Sequence, residues 1–206
     1  LADAVRFINQ VKHASVTVNI KAGDYTRVED KGSLLHPQKA LTIQNVNNRV
    51  IFKRQGEGVV NLPPVIINCC KYVYFKDVEF IGVSAGDNRK IRIYESSVVL
   101  ENVKADSQKD PSNNTSNIVI VGVQGLSLVK LANVNFSAGW GAINNNGGTV
   151  ILEGTENHVA TSHAYVLGVG DIYVYTPFVE KNNINKSGDS SAVELGSVYF
   201  RPIRLT

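Results

Sequence analysis

Two glutamates are the last residues of the same four-residue pattern, which is three apolar residues followed by Glu. The pattern occurs as Val98-Val-Leu-Glu101 and as Val150-Ile-Leu-Glu153. If copies of the pattern stack as strands, these carboxylates share one column, with Ala132 of the intervening copy between them. Two strand spacings separate them by about 9.5 Å, the upper edge of the separation at which an inverting glycosidase holds a water between acid and base. If the chain is an enzyme, Glu101 and Glu153 are its predicted catalytic pair.

Aromatic residues suggest a second kind of chemistry, the binding of sugars. Trp140 stands between two glycines, and Tyr74, Tyr173 and Tyr175 lie in strand-like segments. An exposed aromatic ring offers a platform to the apolar C–H face of a sugar ring. We predict a carbohydrate-binding surface that contains these four residues, with a Trp140 packed beneath a loop as the alternative.

The sequence has no pattern typical of a metal or cofactor site, so we expect neither. Its four histidines are dispersed, and its loop aspartates lack the spacing of a Ca²⁺ site. No phosphate-binding glycine loop is present. Cys69 and Cys70 are adjacent, which disfavours a disulfide between them, and we expect free thiols with one in the core and one outside.

The amino-acid composition argues against two classes of binding partner and favours one class of secondary structure. The net charge is +3 and the Lys and Arg residues are scattered, which argues against nucleic-acid binding. No apolar run is long enough to span a membrane, so we expect no membrane insertion. The chain has 29 Val and 16 Ile against 13 Leu, and this excess of β-branched residues favours strands.

The glutamate pattern belongs to a longer repeat. The copies at Val73, Val98 and Val129 have two apolar residues separated by one residue, then one further residue and a turn former, then Val and a Phe or Ala two positions later. The copy at Val150 is degenerate, and the segments at Val50 and Ile172 resemble only the first part of the pattern. The copies begin 21 to 31 residues apart, at the anchors Val50, Val73, Val98, Val129, Val150 and Ile172. Such spacing favours a solenoid of stacked strands, with an antiparallel sandwich or barrel as the alternative.

Within each repeat the turn former predicts a sharp corner. Asp77, Asn102, Asn133 and Gly154 occupy this position, and these residue types enter left-handed backbone at low cost. Alternation along the strands also pairs Lys76 with Glu101 and Glu79 with Lys104 on the outside of neighbouring copies. Such a charge ladder is a structural alternative to catalysis by Glu101.

The first residues differ from the repeats. Apolar residues at Val5, Ile8 and Val11 mark one face of a short helix. From Val16 to Ile20 the period is two, and Ala22-Gly-Asp24 then predicts a turn. We expect residues 1–14 to form a capping helix and residues 15–206 to form a single β domain. The chain begins at Leu1 and contains no Met, so we expect it to be a piece of a longer polypeptide.

The repeats resemble the pectin-lyase-like superfamily of right-handed β-helices. The opening helix, followed by the strand from Val16 to Ile20 and by Lys21-Ala-Gly-Asp-Tyr25, is similar to the start of carbohydrate-active β-helices and of phage tailspike or tail-fibre β-helices. The predicted fold class is therefore all-β, a right-handed parallel β-helix of about seven coils with a short N-terminal capping helix. Polygalacturonase, pectate lyase and pectin methylesterase signatures are absent from the sequence.

The resemblance implies a homotrimeric receptor-binding module of a virion tail, or of a cell surface, whose partner is a cell-surface polysaccharide or lipopolysaccharide. Two alternatives stay open. One is a polysaccharide-degrading hydrolase or lyase that uses Glu101 and Glu153, or aspartates of the loops, and the other is a bacterial adhesin stalk. The missing signatures favour binding over catalysis.

Overall fold

The computed structural model describes residues 1–29, 35–37, 40–81, 89–106, 116–121, 127–138, 141–155, 157–161, 164–167, 171–175, 178–179, 193–194 and 198–200. The fold is mostly β, with parallel sheets that curl into a half-barrel and a short N-terminal helix. The all-β prediction is confirmed at this level. Trp140 lies outside the described residues.

The elements follow one another along the chain with short strands throughout. The helix is α1 (Ala2–Gln10). The strands are β1 (Val16–Asp24), β2 (Arg27–Glu29), β3 (Leu35–Pro37), β4 (Leu41–Gln44), β5 (Arg49–Leu62), β6 (Val65–Asn68), β7 (Tyr72–Lys76), β8 (Glu79–Phe80), β9 (Ile91–Tyr94), β10 (Ser97–Glu101), β11 (Lys104–Asp106), β12 (Ser116–Val121), β13 (Leu128–Ala132), β14 (Asn135–Ala138), β15 (Gly141–Asn146), β16 (Thr149–Glu153), β17 (Asn157–Thr161), β18 (Ala164–Leu167), β19 (Asp171–Val174), β20 (Phe178–Val179), β21 (Val193–Glu194) and β22 (Val198–Phe200).

The predicted anchors are direct neighbours in the larger sheet. Its strands run in the order β5, β7, β10, β13, β16, β19 and β22, all parallel, and β1 pairs with β5. Their Cα partners form one unbroken column of Val16, Val50, Val73, Val98, Val129, Val150, Ile172 and Val198. The register predicted from the repeat is therefore confirmed, and the repeat extends by one copy at each end.

Two further rows of strands complete each repeat. The order β8, β11, β14, β17 and β20 continues from the second half of β5, which is long enough to belong to both rows. A separate parallel sheet has the order β4, β6, β9, β12, β15, β18 and β21. Each repeat of the larger sheet is thus followed along the chain by a strand of the other sheet.

Alternation of side chains explains the core. β7, β10 and β16 each show strict alternation of buried and half-buried residues, so every second side chain points inward. Inward residues stack on their equivalents in the next repeat, as Phe52 does on Phe75 with ring centroids 4.8 Å apart. Val, Ile and Phe dominate this interior.

The corners have the backbone that the turn formers predicted. Asp77, Asn102 and Asn133 have φ of 57°, 52° and 54°, and Gly154 has φ of 99°. Asn102 Nδ2 donates a hydrogen bond to Asp77 Oδ1 at 2.8 Å, which links one corner to the next. Another corner column, formed by Asn45, Cys69 and Glu95, also has positive φ.

The N-terminal segment matches the prediction in part. Val5 and Ile8 of α1 are buried, whereas Val11 follows the helix as its C-cap and is half-buried. The predicted turn at Ala22–Asp24 is wrong, because β1 continues to Asp24. Gly23 and Asp24 pair with the second half of β5 after a shift in register, and this pairing keeps the segment extended.

Candidate ligand-binding face

The outward side chains of β5, β7, β10, β13, β16 and β19 form one continuous surface, which we call the tyrosine face. Its central row consists of Ile51, Tyr74, Val99, Lys130, Ile151 and Tyr173 in register. All six side chains are half-buried. The row therefore consists of aromatic and aliphatic side chains with one lysine, and it runs across the strands.

A parallel row of charges runs beside it. Lys53, Lys76, Glu101, Ala132 and Glu153 are register partners in that order. The predicted column of Glu101, Ala132 and Glu153 is thus present. Tyr175 is the residue directly after β19. Its N–H donates to the Leu152 carbonyl at 2.9 Å, which places it next to Glu153 at the end of this row. The Tyr175 side chain is 39% exposed.

Three of the four predicted sugar-binding aromatics belong to this face. Tyr74 and Tyr173 share the central row, four strand spacings apart, which corresponds to about 19 Å. Tyr175 lies at the same end as Tyr173, and Trp140 lies outside the described residues. Sequence reasoning missed Tyr72, which precedes Tyr74 by two positions and therefore points to the same side. The Arg49 guanidinium carbon lies 5.2 Å from the centroid of the Tyr72 ring.

Glu101 is engaged through both carboxylate oxygens. Lys76 Nζ lies 2.5 Å from Glu101 Oε1, and the Tyr74 hydroxyl donates to Glu101 Oε2. These two donors lower the pKa of Glu101. Burial, together with the bond to the carboxylate, raises the pKa of Tyr74. At neutral pH, Glu101 is an ionised acceptor between two donors.

This arrangement favours a structural role for Glu101. A general acid of a glycosidase needs a raised pKa, which a carboxylate acquires in an apolar site and not beside a lysine. Glu153 has a looser partner, with Lys130 Nζ at 3.7 Å from its Oε2. The predicted pairs Lys76–Glu101 and Lys104–Glu79 are both present, the latter at 2.7 Å. Catalysis by Glu101 and Glu153 stays a prediction.

Among the described residues, other groups with reactive or ligating atoms do not form a cluster of three or more that could hold a metal ion. The two cysteines are free, with Cys70 buried and Cys69 half-buried at its corner, as predicted. Burial raises the pKa of both thiols. Within the described ranges, no three His, Cys, Asp or Glu side chains come close enough together to hold a metal ion. No helix in that part of the chain is long and apolar enough to cross a membrane.

Comparison with known proteins returned no match: the chain fits no protein-family model, no curated protein and no solved structure.

Proposed function

We propose that the chain is a right-handed parallel β-helix of about seven coils that binds cell-surface polysaccharide as part of a phage tail fibre or tailspike. Two lines of support are the three rows of parallel strands that recur in a constant order and the corners at positive φ. A right-handed path agrees with the strong preference of parallel crossover connections. The tail location and a homotrimeric state belong to this proposal.

The observation that carries the binding function is the central row of the tyrosine face. Tyr74 and Tyr173 are separated by Val99, Lys130 and Ile151, so apolar side chains lie next to each ring and one charged side chain lies midway between them. A linear glycan can span about 19 Å and bring the C–H faces of successive sugars against this row. The flanking carboxylates and ammonium groups offer acceptors and donors to the hydroxyls.

The charges of the face favour binding without cleavage. Glu101 is held ionised by Lys76 and Tyr74, so it is poorly suited to donate a proton to a leaving group. Glu101 and Glu153 lie in one column of register partners, with Ala132 between them. This arrangement favours an inverting glycosidase instead. Cleavage of the bound polysaccharide is therefore the outcome that separates the two functions.

A panel of bacterial capsular polysaccharides and lipopolysaccharides tests the proposal by surface plasmon resonance. We expect one member to bind, and Tyr74→Ala and Tyr173→Ala each to weaken its binding by roughly 3- to 10-fold. Tyr94→Ala is the matched control, because Tyr94 is a half-buried tyrosine on β9 of the other sheet. Equal losses in all three variants would contradict the role of this face.

Two further measurements address the remaining parts of the proposal. Chromatography of the bound polysaccharide should show no shortening, whereas shortening that Glu101→Gln abolishes would establish the enzyme. Sedimentation equilibrium should give a trimer, and a stable monomer would argue against the tail-fibre assignment.

A further inference from the structure

One repeat carries an insertion at its corner. Lys53 pairs with Lys76 and Asn61 pairs with Glu79. Asn61 comes eight positions after Lys53, whereas Glu79 comes only three positions after Lys76. The inserted residues 55–59 are all exposed, and Gly56 and Gly58 have φ of 75° and 99°. We call residues 54–60 the β5 arm.

The β5 arm makes a hydrogen bond within itself and a close contact with β1. Arg54 Nη1 donates to the Gly58 carbonyl at 2.8 Å, which closes the arm across its base. Gly58 approaches β1 so closely that an added Cβ would lie 2.7 Å from the Ala22 side chain. The arm is therefore packed against the preceding strand and bonded across its own base.

An open cleft of about 240 Å³ separates the arm from the corners of the next two repeats. The arm contributes Arg54 and the side chain of Val59, which is 52% exposed. The opposite wall contributes Asp77, Glu79, Asn102 and Lys104. The buried Val60 and Val78 also line the cleft.

The polar walls of the cleft are balanced in charge. The lining contains two cations and two carboxylates, and the wall opposite the arm is internally bonded, Lys104 to Glu79 at 2.7 Å and Asn102 to Asp77 at 2.8 Å. Such a site offers donors and acceptors together and gives no net attraction to an ion. The exposed Val59 adds an apolar group beside them. A polyhydroxylated neutral ligand with one C–H face satisfies both features.

We propose that this cleft binds one neutral sugar unit, through hydroxyl contacts to Arg54, Glu79 and Lys104 and apolar contact with Val59. Its volume lies below the roughly 300–1,000 Å³ of pockets that enclose drug-sized ligands, which suits a single ring and not a chain. The inference rests on the proposed glycan-binding function and adds a second contact point, around the corner from the tyrosine face.

The test is a ¹H–¹⁵N NMR titration of the full chain with glucose, galactose and N-acetylglucosamine. At least one sugar should shift the backbone amides of Val60, Asp77 and Asn102 with a millimolar Kd. Arg54→Gln and Val59→Asp should each weaken this binding by roughly tenfold, or about 1.4 kcal/mol. Arg6→Gln is the control, since Arg6 is an exposed arginine on α1 that pairs with Asp3.

The outcomes separate this cleft from the tyrosine face. Tyr173→Ala should leave the sugar-induced shifts unchanged even where it lowers polysaccharide binding. Cleft shifts that persist without any polysaccharide binding would support the cleft and overturn the proposed function. Absence of cleft shifts with all three sugars would overturn the cleft, and so would glucuronate binding tenfold more tightly than glucose.

Discussion

Single residues at the corners set the path of the chain. Asn133 accepts hydrogen bonds through its Oδ1 from Thr155 N at 2.8 Å and from Thr155 Oγ1 at 3.0 Å. The Asn133 side chain therefore lies directly against the next corner, where Gly154 replaces the Asp or Asn of earlier repeats. A Cβ at Gly154 would lie 2.6 Å from Asn133 Oδ1.

Gly154→Ala should lower the free energy of unfolding by about 2–4 kcal/mol. Part of this cost is the positive φ of 99°, and the rest is the displacement of Asn133 from Thr155. Urea unfolding measures the change. Gly56→Ala is a matched control, because Gly56 also has positive φ but a Cβ there would meet no atom within 4 Å. It should cost only about 1 kcal/mol, and equal losses would rule out the clash.

The lowered pKa of Glu101 makes a pH-dependent contribution to stability. The folded pKa lies below the ordinary value of 4.5, so the stabilisation is present above that value and is lost as the pH falls through the folded pKa. Glu101→Gln should cost about 1 kcal/mol at pH 7, and the cost should be smaller at pH 3, below the ordinary pKa of a glutamate. Urea unfolding at both pH values tests this.

Glu153→Gln is the control for that pH dependence, because Lys130 is 3.7 Å away and the Glu153 side chain is 41% exposed. It should change stability by less than about 0.5 kcal/mol at either pH. A pH-independent loss in Glu101→Gln would mean that packing of the side chain, and not its charge, is responsible.

Residue positions were predictable where alternation and a constant offset acted together. Lys76 and Glu101 hold the same place in two copies of one pattern, so their pairing followed from the sequence. The cleft had no such signal. One wall of the cleft depends on the path of residues 55–59 within β5. The residue types of this insertion do not predict that Asn61, which follows it, pairs with Glu79.

At the scale of elements, α1 protects an exposed sheet edge. β4 is the end strand of its sheet, which leaves backbone groups without a neighbouring strand. Asn9 Nδ2 donates to the Thr42 carbonyl at 2.8 Å, and its Oδ1 accepts from Gln44 N–H at 3.0 Å. The side-chain amide therefore pairs with β4 as a peptide group of another strand would.

Asn9→Ala should lower the free energy of unfolding by about 1–3 kcal/mol, since it leaves a donor and an acceptor of β4 unpaired. Hydrogen exchange should show faster exchange of the Gln44 amide. Gln10→Ala on the same helix is the control, because Gln10 is exposed. Unchanged Gln44 protection in Asn9→Ala would show that packing by Val5 and Ile8 holds the edge without the amide.

The sequence predicted one row of strands well and another poorly, for a physical reason. The anchor strands share a motif because the corner after them needs a left-handed residue, and this requirement marks the register. β4, β6 and β9 are only four residues long. Alternation over so few residues is a weak signal, and the separate sheet that they form was not predicted.

At the scale of the whole molecule, the parallel register predicts which deletions the chain tolerates. Removal of residues 73–97 joins Tyr72 to Val98, which is the register partner of Val73. Lys53 then takes the place of Lys76 beside Glu101. If the chain is the proposed β-helix, its stability is a sum over repeats and their interfaces, so the shortened chain should still fold cooperatively, with a lower Tm. Circular dichroism and thermal melting measure both.

Removal of residues 74–97 is the decisive comparison, because it differs by one residue and reverses the alternation. Val98 would then come directly after Val73 and point outward. Leu100 would also point outward, and Glu101 would point into the core. A buried unpaired carboxylate costs several kcal/mol, so this chain should be unfolded or insoluble. If both shortened chains fold equally well, the turns before β10 absorb the slip, and the inward column of Val and Leu side chains does not set the register.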